Sequence, residues 1–213
     1  MPPRPAAPTL NEMKVALQKY QIGRLSQTYA DLRAEERYAE LAQFFFVDLY
    51  YVGDRAERNE SFLRLWKHFE KVLGRVIVQG LSDLVDFYML SERLDEACAA
   101  QLVKMKAPLD FSDEQYEKAY RWCDNYADRV AQLEYVDRTL VFVHATSQRR
   151  LLGVLISTMQ ATARLIGASA MVDFLDRGYT AFRRVKDVTY FRQTIAKRER
   201  ERLDRIWKEY ALP

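Results

Sequence analysis

Proline and glycine are scarce inside this chain, and their scarcity favours helices. Of the six prolines, four lie within the first eight residues and one ends the chain, which leaves Pro108 as the only proline between Thr9 and Leu212. Because proline inside a helix costs about 3 kcal/mol, an interval so poor in proline permits long helices. There are only seven glycines, and few runs of β-branched residues compete with a helical fold.

Several other absences narrow the classes of function. Two cysteines, Cys98 and Cys123, are too few for a disulfide framework or a cysteine-built zinc site. No Glu-x-x-His pair of the di-iron kind and no glycine-rich phosphate loop occurs. The longest apolar run is far shorter than the roughly 20 residues that span a bilayer, and no basic and apolar leader opens the chain. We therefore expect no metal, no cofactor and no membrane span, with a cytoplasmic location by default.

Charge is nearly balanced and is spread along the chain. There are 33 basic and 30 acidic residues, for a formal net charge of +3. Neither half concentrates positive charge as phosphate neutralisation demands, so we expect no nucleic-acid partner. The acids between Asp83 and Glu96 are predicted to form a solvated helix face, and the alternating charges of residues 197–205 are predicted to pair along a helix surface.

The pattern of apolar residues predicts an all-α fold, a compact multi-helix bundle of seven to nine helices. Residues 1–9 are expected to form a flexible N-terminal arm. Residues 10–212 are expected to form a single all-α domain, whose candidate point of subdivision is the 104–111 linker. The predicted helices cover about residues 10–32, 36–52, 60–73, 75–103, 113–145, 148–166, 170–185 and 187–210.

Two of the predicted helices have marked starting points. Thr9 and Glu12 form one capping-box pattern, and Ser112 and Gln115 form another, in which each side chain bonds the backbone N–H of the other residue. We therefore expect one helix to begin just after Thr9 and another just after Ser112.

One aromatic stretch, "FFFVDLYYVGDRAERN" at residues 44–59, places a carboxylate inside an apolar helix. A surface helix has a single apolar stripe, whereas the predicted helix over 36–52 is apolar almost all round and is expected to lie centrally. The helical neighbours of Asp48 four residues away, Phe44 and Val52, cannot pair with it. Because an unpaired buried carboxylate is costly, we expect an arginine or a tyrosine hydroxyl of another helix to bind Asp48.

The first helix carries a polar stripe whose members recur at spacings of three and four residues. They are Gln21, Arg24, Thr28 and Asp31. A solvated face is one interpretation of this stripe. The other is an inter-helix network that fixes the register of the helices. The expected cations of that network are Arg24 and Arg58, and the expected acids are Asp48 and Asp54.

The stretch "FFFVDLY" resembles the signature of the bacterial FFLEELY-motif proteins, a family named for its motif and not for an activity. Further segments are similar to that family, so that the resemblance covers roughly residues 12–210: "YQIGRLSQTYADL", "DRAERN", "FLDRGYTAFRRV" and "FRQTIAKRERERLDRIW". Val47 stands where the motif has its first acidic residue, and Tyr51 stands where glycine is expected. A role that needs two adjacent carboxylates is therefore not implied, and the resemblance supplies no mechanism.

Taken together, these patterns predict a non-enzymatic helical protein that binds a partner protein or a small apolar ligand. The candidate site is the junction of the apolar helix with the "GDRAERN" turn, because aromatic side chains with a few polar groups are the usual lining of a ligand pocket. The candidate ligand-binding residues are Phe45, Asp48, Tyr50, Tyr51, Asp54, Arg55 and Arg58, and the supporting polar network is Gln21, Arg24, Thr28 and Asp31.

Two alternatives stay open at the level of the sequence. One is an enzyme that uses a buried Asp48 as its acid or base beside tyrosine hydroxyls. The other is a homodimeric structural or regulatory scaffold whose aromatic surface forms the interface.

Overall fold

The computed structural model describes residues 7–49 and 74–213, with residues 74–82 described by their backbone alone. All regular structure within these ranges is helical, so the prediction of an all-α fold is confirmed. The α-helices are α1 (Leu10–Thr28), α2 (Ala30–Ala34), α3 (Ala39–Gln43), α4 (Gly74–Lys104), α5 (Asp113–Trp122), α6 (Tyr126–Ser147), α7 (Arg150–Leu165), α8 (Ser169–Arg184) and α9 (Thr189–Glu209). A five-residue π-helical segment, Phe44–Asp48, follows α3 directly. The predicted helix over 60–73 lies outside the described residues.

Both predicted capping boxes form. The backbone N–H of Thr9 donates to the Glu12 carboxylate over 2.8 Å, and the N–H of Glu12 donates to Thr9 Oγ1 over 3.3 Å. Ser112 and Gln115 make the corresponding bonds at 2.9 and 3.3 Å. Each box satisfies N–H groups that the start of a helix leaves without partners, so α1 and α5 begin where the sequence predicts.

Two predicted helices are each interrupted. The helix expected over 10–32 breaks at Tyr29, whose fully buried ring stacks on Phe46 with centroids 4.3 Å apart. The helix expected over 113–145 breaks before Tyr126, and Asp124 there has a positive φ of 49°. Neither break contains a proline or a glycine, and only the weaker turn signal of Asp124 and Asn125 marks the second one.

The helices share three apolar clusters. The first joins α1, α2, α3 and the π-helical segment to α6, α8 and α9, and contains Tyr29, Phe46 and Phe191. The second joins the start of α1 to α4 and α5, and the predicted linker packs inside it through Ala107 and Phe111. The third joins α7 to α8. Helices α1, α4, α6, α8 and α9 therefore surround a common interior, into which the π-helical segment projects.

The three adjacent phenylalanines of the π-helical segment are buried in different directions. The Phe44 ring contacts Phe174 of α8, with centroids 5.1 Å apart, whereas the Phe46 ring lies against Tyr29 and is 5.7 Å from Phe191 of α9. The Phe45 ring meets Phe191 edge-on at 6.0 Å. The prediction that this stretch lies centrally is confirmed for its described residues.

Over the same described ranges, none of the helices combines the length and the apolar character that crossing a membrane requires.

Two helical glycines differ in what an added methyl group would meet. A Cβ on Gly178 in α8 would lie 2.6 Å from the Phe44 ring, whereas a Cβ on Gly23 in α1 would meet nothing within 4 Å. Because alanine favours helix over glycine by about 0.5–1 kcal/mol, we expect Gly23→Ala to raise the free energy of unfolding by that amount. Gly178→Ala is expected to lower it by about 1–3 kcal/mol, since the Phe44 ring is already packed among other aromatics. Urea unfolding measures both changes, and a stabilising effect of Gly178→Ala would contradict this packing.

Candidate functional site

A cavity of about 270 Å³ lies inside the bundle, beside the π-helical segment. Phe45, Phe46 and Leu49 form part of its wall, and α1, α4, α5, α6, α8 and α9 supply the rest. Much of this wall is aliphatic or aromatic, with Val136 of α6 and Ile195 of α9 among its members. Such a lining suits the hydrocarbon part of a small molecule.

A buried carboxylate, Glu199 of α9, forms a polar part of the wall. It accepts hydrogen bonds from Arg24 Nη1 at 2.8 Å and from the Tyr29 hydroxyl at 3.0 Å. Its side chain keeps only 15% of its exposure. Burial opposes the charged form, but the Arg24 guanidinium and these hydrogen bonds outweigh burial and hold the pKa of Glu199 below its ordinary value. The carboxylate is therefore ionised near neutral pH and ties α9 to α1.

A second polar group joins α1, α4 and α6. Gln21 Nε2 donates to Asp95 Oδ1 at 3.0 Å, and Arg129 Nη2 donates to the backbone carbonyl of Leu94 at 3.2 Å. The Arg129 guanidinium also lies over the Tyr120 ring, 4.1 Å from its centroid. Gln21, Asp95 and Arg129 are only 7%, 7% and 3% exposed, respectively. These side chains are held in fixed positions at the cavity wall.

Two buried polar atoms of this group have no hydrogen-bond partner. They are Oε1 of Gln21, an acceptor, and Nε of Arg129, a donor. Leaving such an atom buried and unpaired costs about 1–3 kcal/mol. Both residues line the cavity.

The polar stripe of the first helix connects to other helices. Gln21 and Arg24 lie in the cavity wall and bind Asp95 and Glu199. Thr28 and Asp31 lie outside that wall and bind the guanidinium of Arg198 in α9. Arg198 Nη1 donates to the Thr28 carbonyl at 2.9 Å, and the Asp31 carboxylate accepts from Arg198 at 2.8 and 2.7 Å. The stripe is thus an inter-helix network, but its partners are on α4 and α9.

Asp48 is placed differently from the sequence-based expectation. It has the expected arginine partner on another helix, because Arg177 Nε of α8 lies 3.4 Å from Asp48 Oδ2. However, the Asp48 side chain is 25% exposed and does not line the cavity, whereas Phe45 does. The carboxylate ends the π-helical segment at its more solvated edge, so it is not deeply buried. The other candidate ligand-binding residues lie outside the described residues: Tyr50, Tyr51, Asp54, Arg55 and Arg58.

Sequence reasoning missed the charged residues that turn inward. Asp95 was expected on a solvated face but is buried against Gln21, and Glu199 was expected to pair along a helix surface. A usable signal existed in α9, since extending its inward stripe back from Leu203 by one turn reaches Glu199. For Asp95 the sequence offers only its apolar chain neighbour Leu94, which the structure buries to 1% exposure.

A family model described as a domain of unknown function (DUF8198) matches residues 2–213, which is nearly the whole chain. The chain belongs to this family. It matches no curated protein and no solved structure. Within the described residues, no three histidine, cysteine or acidic side chains are grouped as a metal ion would require. Function must therefore be argued from the cavity.

The buried ion pair of Glu199 allows a test by substitution. Glu199→Gln removes the charged member of the buried pair with Arg24, so we expect the free energy of unfolding at pH 7 to fall by about 2–4 kcal/mol. Glu201→Gln is the matched control on the same helix. Its partner Lys197 is 4.0 Å away and both side chains are well exposed, so the expected change is under about 0.5 kcal/mol.

The pH dependence supplies the second arm of this test. Because the pKa of Glu199 in the folded state lies below the unfolded value of about 4.3, its stabilisation is present above that pH and is lost as the pH falls through the folded pKa. The difference between the wild type and Glu199→Gln should therefore shrink below about pH 4. A difference that is independent of pH, measured by urea unfolding, would show that Glu199 is not ionised in the fold.

Proposed function

We propose that the chain is a non-enzymatic binding protein whose inter-helix cavity takes a small amphipathic molecule. The observation that carries the proposal is an apolar cavity whose wall includes two residues, Gln21 and Arg129, that each keep one buried polar atom without a hydrogen-bond partner. An apolar body would occupy the aromatic and aliphatic part, and a polar head would meet Gln21 and Arg129.

The cavity volume limits the size of the ligand. At about 270 Å³ the cavity lies just under the roughly 300–1,000 Å³ of sites for drug-sized molecules. The proposed ligand is accordingly a single short chain or a single small ring system, not a dinucleotide or a haem.

The charges in the wall favour a neutral head group. Three arginines are opposed there by three acids: Arg24, Arg129 and Arg202 by Glu92, Asp95 and Glu199. Because the charges of the wall already balance, an ionised head group would add a charge that the wall does not offset. Burying such a charge is costly. Gln21 Oε1 needs a donor and Arg129 Nε needs an acceptor, and a single hydroxyl or carboxamide supplies both.

The resemblance to FFLEELY-motif proteins and the enzymatic alternative stay predictions. The "FFFVDLY" stretch contributes Phe45 and Phe46 to the cavity wall, which gives the motif a role in shaping a binding site in this proposal. Catalysis by Asp48 depends on Tyr50 and Tyr51, which lie outside the described residues. Asp48 pairs with Arg177 away from the cavity, so binding without chemistry is the better-supported function.

The first measurement of this proposal is native mass spectrometry of the purified protein, under gentle and then denaturing conditions. A small mass that leaves on denaturation is expected, and its composition would identify the class of ligand.

The second measurement uses octanol, octanamide and octanoate as probes in ligand-observed NMR. Octanoate only accepts hydrogen bonds when ionised, so octanamide is expected to bind roughly tenfold more tightly.

Two glutamines on α1 provide a matched pair of variants for these probes. Gln21→Met removes the unpartnered acceptor and is expected to weaken octanamide binding roughly tenfold. Gln18→Met removes an equally buried glutamine that does not line the cavity, and should leave the affinity unchanged. Equal losses in the two variants, or no binding of any probe to a protein that carries no small mass, would overturn the proposal.

A second candidate function, the homodimeric scaffold, is favoured by one face of α7. Leu151, Val154 and Leu165 point to solvent there, with exposures of 83%, 61% and 87%. With Thr158 and Ala161 they repeat at alternating spacings of three and four, which is the spacing of a helix–helix seam. The opposite face of α7, around Ile156, packs on α8. We infer that the outer face could pair with the same face of a second copy.

Sedimentation velocity tests this second candidate. The double variant Leu151→Glu with Val154→Glu is expected to raise the dimer dissociation constant by at least roughly tenfold. In this variant, dimerisation would bury two carboxylates at positions where it otherwise buries apolar side chains. Met89→Glu on α4 is the control, since Met89 is also exposed and apolar but lies on another helix. A wild type that sediments as a monomer at high concentration would eliminate the scaffold.

A further inference from the structure

The two cysteines, far apart in the sequence, meet in the structure. Cys98 lies on α4 and is 1% exposed, and Cys123 directly follows α5. Both belong to the apolar cluster that joins α1, α4 and α5, and each thiol shifts the pKa of the other. The Cys123 thiol also lies 3.2 Å from the backbone carbonyl of Ala119. Neither cysteine is in a disulfide.

We propose that Cys98 and Cys123 form a reversible intramolecular disulfide when a hydroperoxide oxidises them, which makes this thiol pair a redox-modification site. The inference rests on the shared cluster of the two cysteines, on the hydrogen bond from Gln101 of α4 that holds the Cys123 turn beside that helix, and on the unequal exposure of the thiols. It does not depend on the proposed ligand cavity.

The two thiols differ in a way that assigns their roles. The hydrogen bond from Cys98 lowers the pKa of Cys123, and the nearby cations Arg129 and Lys104 act in the same direction. For Cys98, the hydrogen bond to Cys123 and complete burial both raise the pKa. Because the thiolate is the nucleophile, Cys123, which is also the partly exposed one, is the sulfur that reacts first with an oxidant from solvent.

Disulfide formation needs a hydroperoxide as its only co-reactant. The Cys123 thiolate attacks one peroxide oxygen, the O–O bond breaks, and Cys123 becomes a sulfenic acid. The other oxygen leaves as hydroxide or alkoxide and takes up the proton that the Cys123 thiol released, which gives water or an alcohol. The Cys98 sulfur then attacks the Cys123 sulfur, the S–O bond breaks, and hydroxide leaves and takes up the Cys98 proton as water. The two thiols lose two electrons in total, and the peroxide gains them.

The required approach falls at the end of a helix. A disulfide needs an S–S distance of about 2.05 Å, so the two sulfurs must draw closer. Cys123 caps α5 with its N–H bonded to the Ala119 carbonyl at 3.2 Å, and the chain leaves the helix at the next residue, Asp124, whose φ is +49°. Gln101 of α4 holds the same turn, since its Nε2 donates to the Trp122 carbonyl at 3.1 Å. The turn is thus kept beside α4 while Cys123 moves.

Intact-protein mass spectrometry of the full reduced chain, after treatment with hydrogen peroxide, tests the proposal. The expected product is a monomer that has lost two hydrogen atoms and no longer reacts with iodoacetamide at either cysteine under denaturing conditions. Dithiothreitol should restore both thiols. Retention of two free thiols, a gain of oxygen without loss of hydrogen, or a disulfide between two chains on a non-reducing gel would each overturn the inference.

Two single variants test the order of the steps. In Cys98→Ala the sulfenic acid of Cys123 has no partner, so the protein is expected to gain one oxygen atom and to be trapped by dimedone. In Cys123→Ser only the buried Cys98 is left, and oxidation in the folded state should be lost. Faster oxidation of Cys123→Ser than of Cys98→Ala would overturn the assigned roles. Circular dichroism checks that each variant folds, and the wild-type mass result holds whether or not they do.

Discussion

The burial of three consecutive phenylalanines is the constraint on which the rest of this bundle depends. In a regular helix Phe44, Phe45 and Phe46 would point in three directions about 100° apart, and a single neighbouring helix could cover only one of them. The chain adopts π-helical geometry here, with the Leu49 N–H bonded to the Phe44 carbonyl at 3.0 Å. Neighbours must then stand on several sides, and α1, α8 and α9 take these places.

The helices that pack around the central aromatic segment leave a cavity beside it. The cavity lies where Phe45, Phe46 and Leu49 meet the inner faces of six helices. Those inner faces are not purely apolar, because α1 directs Gln21 and Arg24 inward and α9 directs Glu199 inward. A buried polar group fixes the register of helices only if it finds a partner. Arg24 finds Glu199 and Gln21 finds Asp95, but Gln21 and Arg129 each keep one further atom without a partner. Those two atoms are the basis of the proposed binding function.

Much of the fold could be predicted from local rules. The scarcity of internal proline and the two capping boxes indicate an all-α chain and fix the starts of α1 and α5. The breaks at Tyr29 and Asp124 could not be predicted in this way, because each depends on a long-range contact or on an unusual φ at a residue that is neither proline nor glycine.

The site was harder to predict than the fold, for a physical reason. Periodicity shows which face of a helix is apolar, but it does not distinguish a charged residue on the solvent side from one at the edge of the buried face. Glu199 and Arg200 are adjacent in a run of alternating charges, yet Glu199 is bound to Arg24 and Tyr29 while Arg200 pairs with Asp204 at the surface. The stripe that extends back from Leu203 marks the side of α9 on which Glu199 lies, but the position of α1 decides that Arg24 binds it there. The pairing of Cys98 with Cys123 likewise follows from the turn between α5 and α6, which local patterns do not reveal.

Arg129 belongs to both the cavity and the surroundings of the thiol pair, and this position has a thermodynamic consequence. Its unpaired Nε lies in a residue of the cavity wall, and its positive charge acts on both sulfurs. In the two proposals, oxidation replaces the thiols near Arg129 with a disulfide and so changes the surroundings of a side chain that the ligand contacts. By linkage, any change in ligand affinity on oxidation is matched by an equal change in the ease of oxidation when the ligand is bound. The two sites, argued from separate observations, would thus act on each other through one buried guanidinium.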